Sequence, residues 1–261
     1  MFLPTPREGV ASPITHYLAR KGLMPPIVVG GVGGSGTRLV VQMLMEIRVF
    51  MGSVRNASED AMPFVPVYDS HINTYLSGVV SYTGLTASLV QALDSHFGSG
   101  SSDSICNWGW KNPRSIYILP LLDELFTGMR FIHVVRDGVA MATSENQAQL
   151  QKHGAWVIPE NFQGLPQIER ALLLWSIVNN VAANYGKKMG NRYILLRYED
   201  ICTDPVKATM SLASALGIEQ PPNLNIPVHP IRTRYVKLTS EIVGATEKIA
   251  SAALQRFGYP C

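Results

Sequence analysis

The stretch Pro26–Val49, PIVVGGVGGSGTRLVVQMLMEIRV, decides the fold. Ile27-Val28-Val29 is a short β-branched run of the kind that forms a buried strand. Gly30 to Gly36 follows with five glycines among seven residues, and Thr37 to Ile47 then carries apolar residues at helical spacing. The expected unit is strand, glycine loop, helix. Such a turn brings several backbone N–H groups and a helix N-terminus to one point, with no Cβ atoms to hold an anion away. Ser35 and Thr37 add hydroxyl donors. Arg38 adds charge in the first helical turn, where it is unfavourable against the helix dipole unless an anion sits nearby.

Two known loop patterns compete for this stretch. Gly31-Val32-Gly33-Gly34-Ser35-Gly36 satisfies the dinucleotide pattern G-x-G-x-x-G, but no acidic residue closes a second strand about 20 residues further on. Gly31 through Thr37 is similar to a nucleotide-triphosphate loop, with Thr37 where that loop needs its lysine. Neither pattern is complete, so the rest of the chain has to decide between anion ligands.

At 261 residues the chain is long enough for one large α/β domain with insertions, covering residues 1–261. A formal charge of +3 is too small to indicate a nucleic-acid partner. No run reaches the about 18 apolar residues of a membrane span, and the N-terminal MFLPTPREGVASP lacks the pattern of a leader, so a cytoplasmic enzyme is expected. Cys106, Cys202 and Cys261 have neither C-x-x-C spacing nor histidines at ligand spacing. Reduced thiols and no metal are expected.

Residues 1–25 read as a surface lead-in. Phe50 to Tyr68 reads as a loop leaving the phosphate end of the fold, with the acidic pair Glu59-Asp60 as either a capping turn or a general base beside a bound anion. Residues 69–97 read as one helix with Ile72, Leu76, Val79, Val80, Leu85 and Leu89 on its buried face, and with His71 and His96 at the surface. Ser104 to Lys111 reads as a second strand, with Asn112-Pro113 opening a helix from Arg114 to Phe126. A lysine at the carboxyl end of a parallel strand stands at the ligand crevice. Met129 to Val135 is the clearest strand; it ends in Arg136-Asp137-Gly138, and a helix carrying Ser144 follows. An arginine and a hydroxyl meeting there make a second phosphate site. Gln167 to Met189 is a long packing helix, Tyr193 to Arg197 a further strand, Val206 to Leu216 a helix, and Ser240 to Phe257 the last one. Arg232, Arg234, Tyr235 and Lys237 form a basic and aromatic cluster before it.

These pieces, taken together, resemble the sulfotransferases that use 3′-phosphoadenosine 5′-phosphosulfate, nearest to the branch that includes the protein-tyrosine sulfotransferases. The resemblance spans residues 27 to about 238. It rests on the loop Gly30 to Thr37, the strand-end Lys111-Asn112-Pro113, Arg136-Asp137-Gly138 with Ser144, Arg197-Tyr198-Glu199-Asp200 with Asp204-Pro205, and the basic loop Arg234-Tyr235-Val236-Lys237. It implies an α/β fold with a central parallel sheet flanked by helices. It also implies that Gly33, Gly34, Ser35, Gly36, Thr37 and Arg38 bind the 5′-phosphosulfate, that Arg136 and Ser144 hold the 3′-phosphate with help from Arg234, Tyr235 and Lys237, and that Tyr198 approaches the adenine. The base of the tyrosine-sulfating branch, a glutamate shortly after the first helix, points to Glu59 or Asp60, with Asp60 favoured. The chain departs from the family at Gly34, where relatives carry Lys or Arg; Lys111 or Arg38 would supply that cation.

The implied reaction is sulfuryl transfer, without a metal, to a hydroxyl, less readily an amine, of a carbohydrate or small-molecule acceptor. A nucleotide kinase or NTPase lacks its loop lysine here, and a nucleotide-binding module without catalysis is the third reading. Phe64, Tyr68, Tyr75 and Trp156 are candidates either for the acceptor pocket or for packing.

Overall fold

The computed structural model describes residues 13–98, 106–219, 224, 226 and 240–260. The chain runs α1 (Pro13–Arg20), β1 (Ile27–Gly30), α2 (Thr37–Glu46), α3 (Val65–Leu76), α4 (Tyr82–Phe97), β2 (Gly109–Lys111), α5 (Leu119–Leu125) and β3 (Arg130–Val135). It continues through α6 (Gly138–Ala142), α7 (Ala148–Val157), α8 (Gln167–Met189), β4 (Tyr193–Arg197), α9 (Tyr198–Thr203), α10 (Pro205–Leu216), α11 (Ser240–Ile249) and α12 (Ser251–Arg256). Short 3-10 turns occupy Met62–Phe64 and Pro113–Ile118.

The four strands form one parallel sheet in the order β2-β1-β3-β4. Register sorts the side chains into two cores. Val28, Trp110 and Phe131 lie across one face and Val29 and Ile132 across the other, because paired residues of parallel strands point the same way. Helices bury both faces of β1, β2 and β3, as a parallel sheet requires, while the edge strand β4 is part-buried with Leu195 exposed. The chain leaves β1 in one direction to reach β2, then returns past β1 to β3. That reversal opens a crevice beyond the carboxyl end of β1, where the glycine loop begins.

The expected α/β architecture is present, with several local differences. Pro13–Arg20 is a helix whose Ile14, Tyr17 and Leu18 enter the core, so that part of the lead-in is structural. The helix expected over 69–97 is two helices, broken where Gly78 takes φ 87° and its N–H closes on the carbonyl of Tyr75. Val79, in that break, is 60% exposed. The strand before Lys111 begins only at Gly109, and the turn after it is 3-10 before it becomes α5. The helix after β3 also breaks. The Gln147 side chain donates to the carbonyls of Met141, Ala142 and Ser144, which satisfies the end of α6 and leaves Ser144 in the connecting turn. His96, expected at the surface, is buried, donating from Nε2 to the Gly109 carbonyl at 3.0 Å and packing edge-on against Phe50 and Phe64.

Candidate functional site

The loop after β1 and the first turn of α2 form the floor of a cleft of about 500 Å³. Gly36 precedes α2 with φ 91°, a conformation glycine adopts freely. A Cβ there would lie 2.2 Å from the ring of Tyr198, so glycine lets Tyr198 lie directly on the loop. Gly34 also has positive φ, 92°. A Lys or Arg at that position would be strained in this backbone conformation. Ser35 is buried and its Oγ has no hydrogen-bond partner. A buried hydroxyl without a partner is costly, and a bound oxyanion at the loop would relieve it.

On the β3–β4 flank, Arg136 leaves the end of β3 and donates from Nη1 to the Gly34 carbonyl at 3.2 Å. Its guanidinium stacks 4.6 Å from the centroid of the Tyr198 ring. The Arg136 carbonyl accepts from Trp175 Nε1, and the Asp137 N–H donates to Glu199 Oε1, so the strand end is anchored from α8 and α9. Asp137 caps α6 by accepting from the Ala140 N–H; burial pushes its carboxyl above the usual range, and the Glu199 charge adds to the effect.

On the β2 flank, Lys111 is almost fully buried and donates from Nζ to Asp60 Oδ1 at 2.7 Å and to the Ser58 carbonyl at 2.8 Å. Burial pushes the ammonium below the usual lysine range, while the Asp60 charge and hydrogen bond oppose that shift. The Asn56 side chain shapes the turn that presents Asp60. Its Oδ1 accepts from the N–H groups of Ser58 and Asp60, and its Nδ2 donates to Asp60 Oδ2 at 3.1 Å. Glu59, in the same turn, has φ 62° and pairs with Arg55 at 2.6 Å.

Of the residues expected from sequence, Gly33, Gly34, Gly36, Thr37, Arg38, Asp60, Lys111, Arg136 and Tyr198 all line the cleft. Ser35 lies beneath it. Glu59 and Ser144 do not line it: Glu59 faces Arg55, and the Ser144 hydroxyl accepts from the Asn146 N–H at 3.2 Å, while Asn146 itself reaches the cleft. Arg232, Arg234, Tyr235 and Lys237 lie outside the described residues. Phe64, Tyr68 and Tyr75 are core residues, Phe64 stacking on Trp110 at 4.4 Å, and Trp156 is exposed away from the cleft.

Sequence reasoning missed Asn56, Arg114, Gln149 and Lys152, which also line the cleft. The available signals were weak. Asn56 two residues before Ser58 suits an Asx turn, and Gln149 and Lys152 share a helix face at i, i+3. Among the described residues no cluster of His, Cys, Asp or Glu could hold a metal ion, and no helix is long and apolar enough to cross a membrane.

A glycine loop at a helix N-terminus, an arginine beside it and a Lys–Asp pair at the neighbouring strand end make a polar α/β cleft of the kind that suits an anion. Comparison with known proteins gives the family. The model described as the sulfotransferase family matches residues 25–222, and the chain belongs to that family. It is similar to carbohydrate sulfotransferase 3 of Tetronarce californica, 25% identical over 152 residues, which is 55% of this chain and 34% of that protein. The match thus spans about a third of that relative's length.

Two solved structures share the fold. The sulfotransferase domain from the Synechococcus PCC 7002 olefin synthase has a TM-score of 0.54 at 16% identity, covering 92% of this chain and 96% of that one. Sulfotransferase STF1 from Mycobacterium tuberculosis H37Rv has a TM-score of 0.53 at 14% identity, covering 90% and 79%. Membership of this family sets aside the kinase or NTPase reading.

Proposed function

We propose that the chain transfers the sulfuryl group of 3′-phosphoadenosine 5′-phosphosulfate to a hydroxyl, and less readily an amine, of a carbohydrate or small-molecule acceptor, with Asp60 as the base. The observation that carries this reading is the Asp60–Lys111 pair, 2.7 Å apart, on the same cleft as the glycine loop. The residues present fit the donor. The partnerless Ser35 hydroxyl and the N-terminal N–H groups of α2 would take its 5′-phosphosulfate, with Arg38 at the rim. Arg136, with the turn that carries Ser144 and Asn146, would take the 3′-phosphate, and Tyr198 would flank the adenine. Arg234, Tyr235 and Lys237 complete this assignment from sequence alone.

Bound there, the donor supplies an activated sulfuryl group: the acceptor oxygen–sulfur bond forms as the sulfur–oxygen bond to the phosphate breaks, and 3′-phosphoadenosine 5′-phosphate leaves. The chain's own tasks are positioning, proton transfer and charge stabilisation. Asp60 keeps lone pairs on both oxygens beyond the bonds from Lys111 and Asn56, so it can receive the acceptor hydroxyl's proton. Lys111 favours the ionised, accepting form of Asp60 and supplies the cation that Gly34 does not. As Asp60 becomes protonated, its hold on the ammonium weakens and the positive charge of Lys111 is available to the departing oxygen.

Calorimetric titration with 3′-phosphoadenosine 5′-phosphate, with 5′-AMP and ATP as comparisons, tests the donor. The bisphosphate should bind at least about tenfold tighter than 5′-AMP, since a charge-assisted phosphate contact contributes about 1.5–3 kcal/mol. Arg136→Ala should abolish that margin. Equal binding of the bisphosphate and 5′-AMP, or tighter binding of ATP, refutes the assignment.

A further inference from the structure

The strand order divides the cleft. The end of β3 and the start of α9 bring Arg136 and Tyr198 to one side of the glycine loop, and the end of β2 brings Lys111 and Arg114 to the other. The donor assignment uses the first side and the loop. Lys111 apart, the second side, where an acceptor would enter beside Asp60, carries charge from Arg114 and Lys152 that the donor does not use.

Arg114 is anchored away from the loop. Its Nη1 donates to Asp69 Oδ1 at 2.5 Å, its Nε to Asn112 Oδ1 at 3.4 Å, and its guanidinium lies 5.6 Å from the Tyr68 ring centroid. Lys152, from α7, approaches the same carboxylate oxygen at 3.4 Å with its side chain 56% exposed. Arg114 and Lys152 both line the cleft and Asp69 does not. Burial works against the Asp69 carboxylate, but the Arg114 hydrogen bond and charge, with Lys152 behind them, outweigh it and keep that carboxyl below its usual range. Two cations therefore share one ionised carboxylate. Lys111 and Asp60 already balance each other, so this flank keeps one uncompensated positive charge facing the acceptor's space.

Resting on the sulfotransferase reading above, we infer that Arg114 and Lys152 form an oxyanion subsite for the acceptor, so that the preferred acceptor bears a carboxylate or phosphate group as well as the hydroxyl that Asp60 deprotonates. Arg114 would offer such a group the charge and the N–H donors that its bonds to Asp69 and Asn112 leave over, and Lys152 a mobile point charge at the edge. Met62 and Val65 complete this wall with a small apolar surface, which suits the ring or chain between the two polar ends.

Three aryl sugars that differ only at C6 serve as probes: neutral 4-nitrophenyl β-D-glucoside, its 6-phosphate, and 4-nitrophenyl β-D-glucuronide. Each is titrated calorimetrically into the full chain, with and without saturating 3′-phosphoadenosine 5′-phosphate. At least one anionic probe should bind about tenfold tighter than the glucoside, and the two anionic arms identify phosphate or carboxylate. Lys152→Gln, at an exposed side chain, should remove most of that margin, and Asp69→Asn should widen it by releasing both cations. Binding of the bisphosphate should be unchanged by Lys152→Gln. Equal binding of the three probes, binding of none, or a margin that survives Lys152→Gln overturns the inference. Failure of the bisphosphate itself to bind would instead strike the donor reading, since the probe comparison is made in its absence as well.

Discussion

Asp60 and Glu59 are neighbours with opposite surroundings. Asp60 meets a buried ammonium in the cleft, whereas Glu59 is turned by its positive φ toward Arg55, outside the cleft lining. Asp60→Asn keeps the shape and removes the base, so turnover should fall by roughly two to four orders of magnitude. Glu59→Gln should stay within about fivefold, because Glu59 lies outside the cleft lining and its ion pair with Arg55 contributes about 1 kcal/mol. Equal losses in the two variants, in an assay following release of 3′-phosphoadenosine 5′-phosphate, would remove Asp60 from the base's role. Lys111→Ala should lower turnover by about two to three orders of magnitude while binding of the bisphosphate largely survives. Near-normal turnover would exclude Lys111 from the mechanism.

At the scale of elements, the glycine loop and α9 are fitted to each other. Tyr198 covers Gly36 so closely that an added Cβ would overlap its ring, and the same ring carries the Arg136 guanidinium. Gly36→Ala therefore strains a left-handed residue and pushes Tyr198 and Arg136 off the loop together. Binding of 3′-phosphoadenosine 5′-phosphate should weaken by more than about tenfold, beyond the loss of roughly 1 kcal/mol in stability that the backbone strain alone costs. Titration beside a urea melt separates the two effects. Unchanged affinity would mean that the loop and Tyr198 do not cooperate in binding.

For the whole molecule, buried histidines set the acid limit. Burial pushes His96, His133 and His153 down to about 4; hydrogen bonds to Gly109 and Asn179 oppose this at His96 and His133, and the nearby Arg114 and Lys152 charges reinforce it at His153. Each is neutral in the folded chain and becomes charged in the unfolded chain below about pH 6.5. The unfolded state binds more protons between those values, so the stability these histidines contribute is complete above pH 6.5 and is lost as pH falls toward 4. Thermal melts across that window should show a steep fall in Tm. His133→Gln, whose ring partners are Tyr193 and Asn179, should melt lower at pH 7 but with a shallower dependence on pH. An unaltered slope would mean that His133 does not carry its share.

Much of this fold and site was legible in the chain itself. Local periodicity and turn chemistry within one segment carried β1 and its glycine loop, the bounds of α8 and β4, and Lys111 and Arg136 at strand ends. Those features depend on residues a few positions apart, and the parallel order then places strand ends at one crevice. What the tertiary structure alone decided involves partners far apart in sequence. Lys111 selects Asp60 across 51 positions, Arg114 finds Asp69 across 45 and Lys152 finds it across 83, and no periodicity encodes such meetings. The helix breaks at Gly78 and Gln147 are different, made by a left-handed glycine and by a side chain that takes carbonyls three to six positions back. His96 does belong with the distant partners: elements that meet only in the fold bury it and the Gly109 carbonyl satisfies its ring, because an unsatisfied buried group costs too much to leave unpaired.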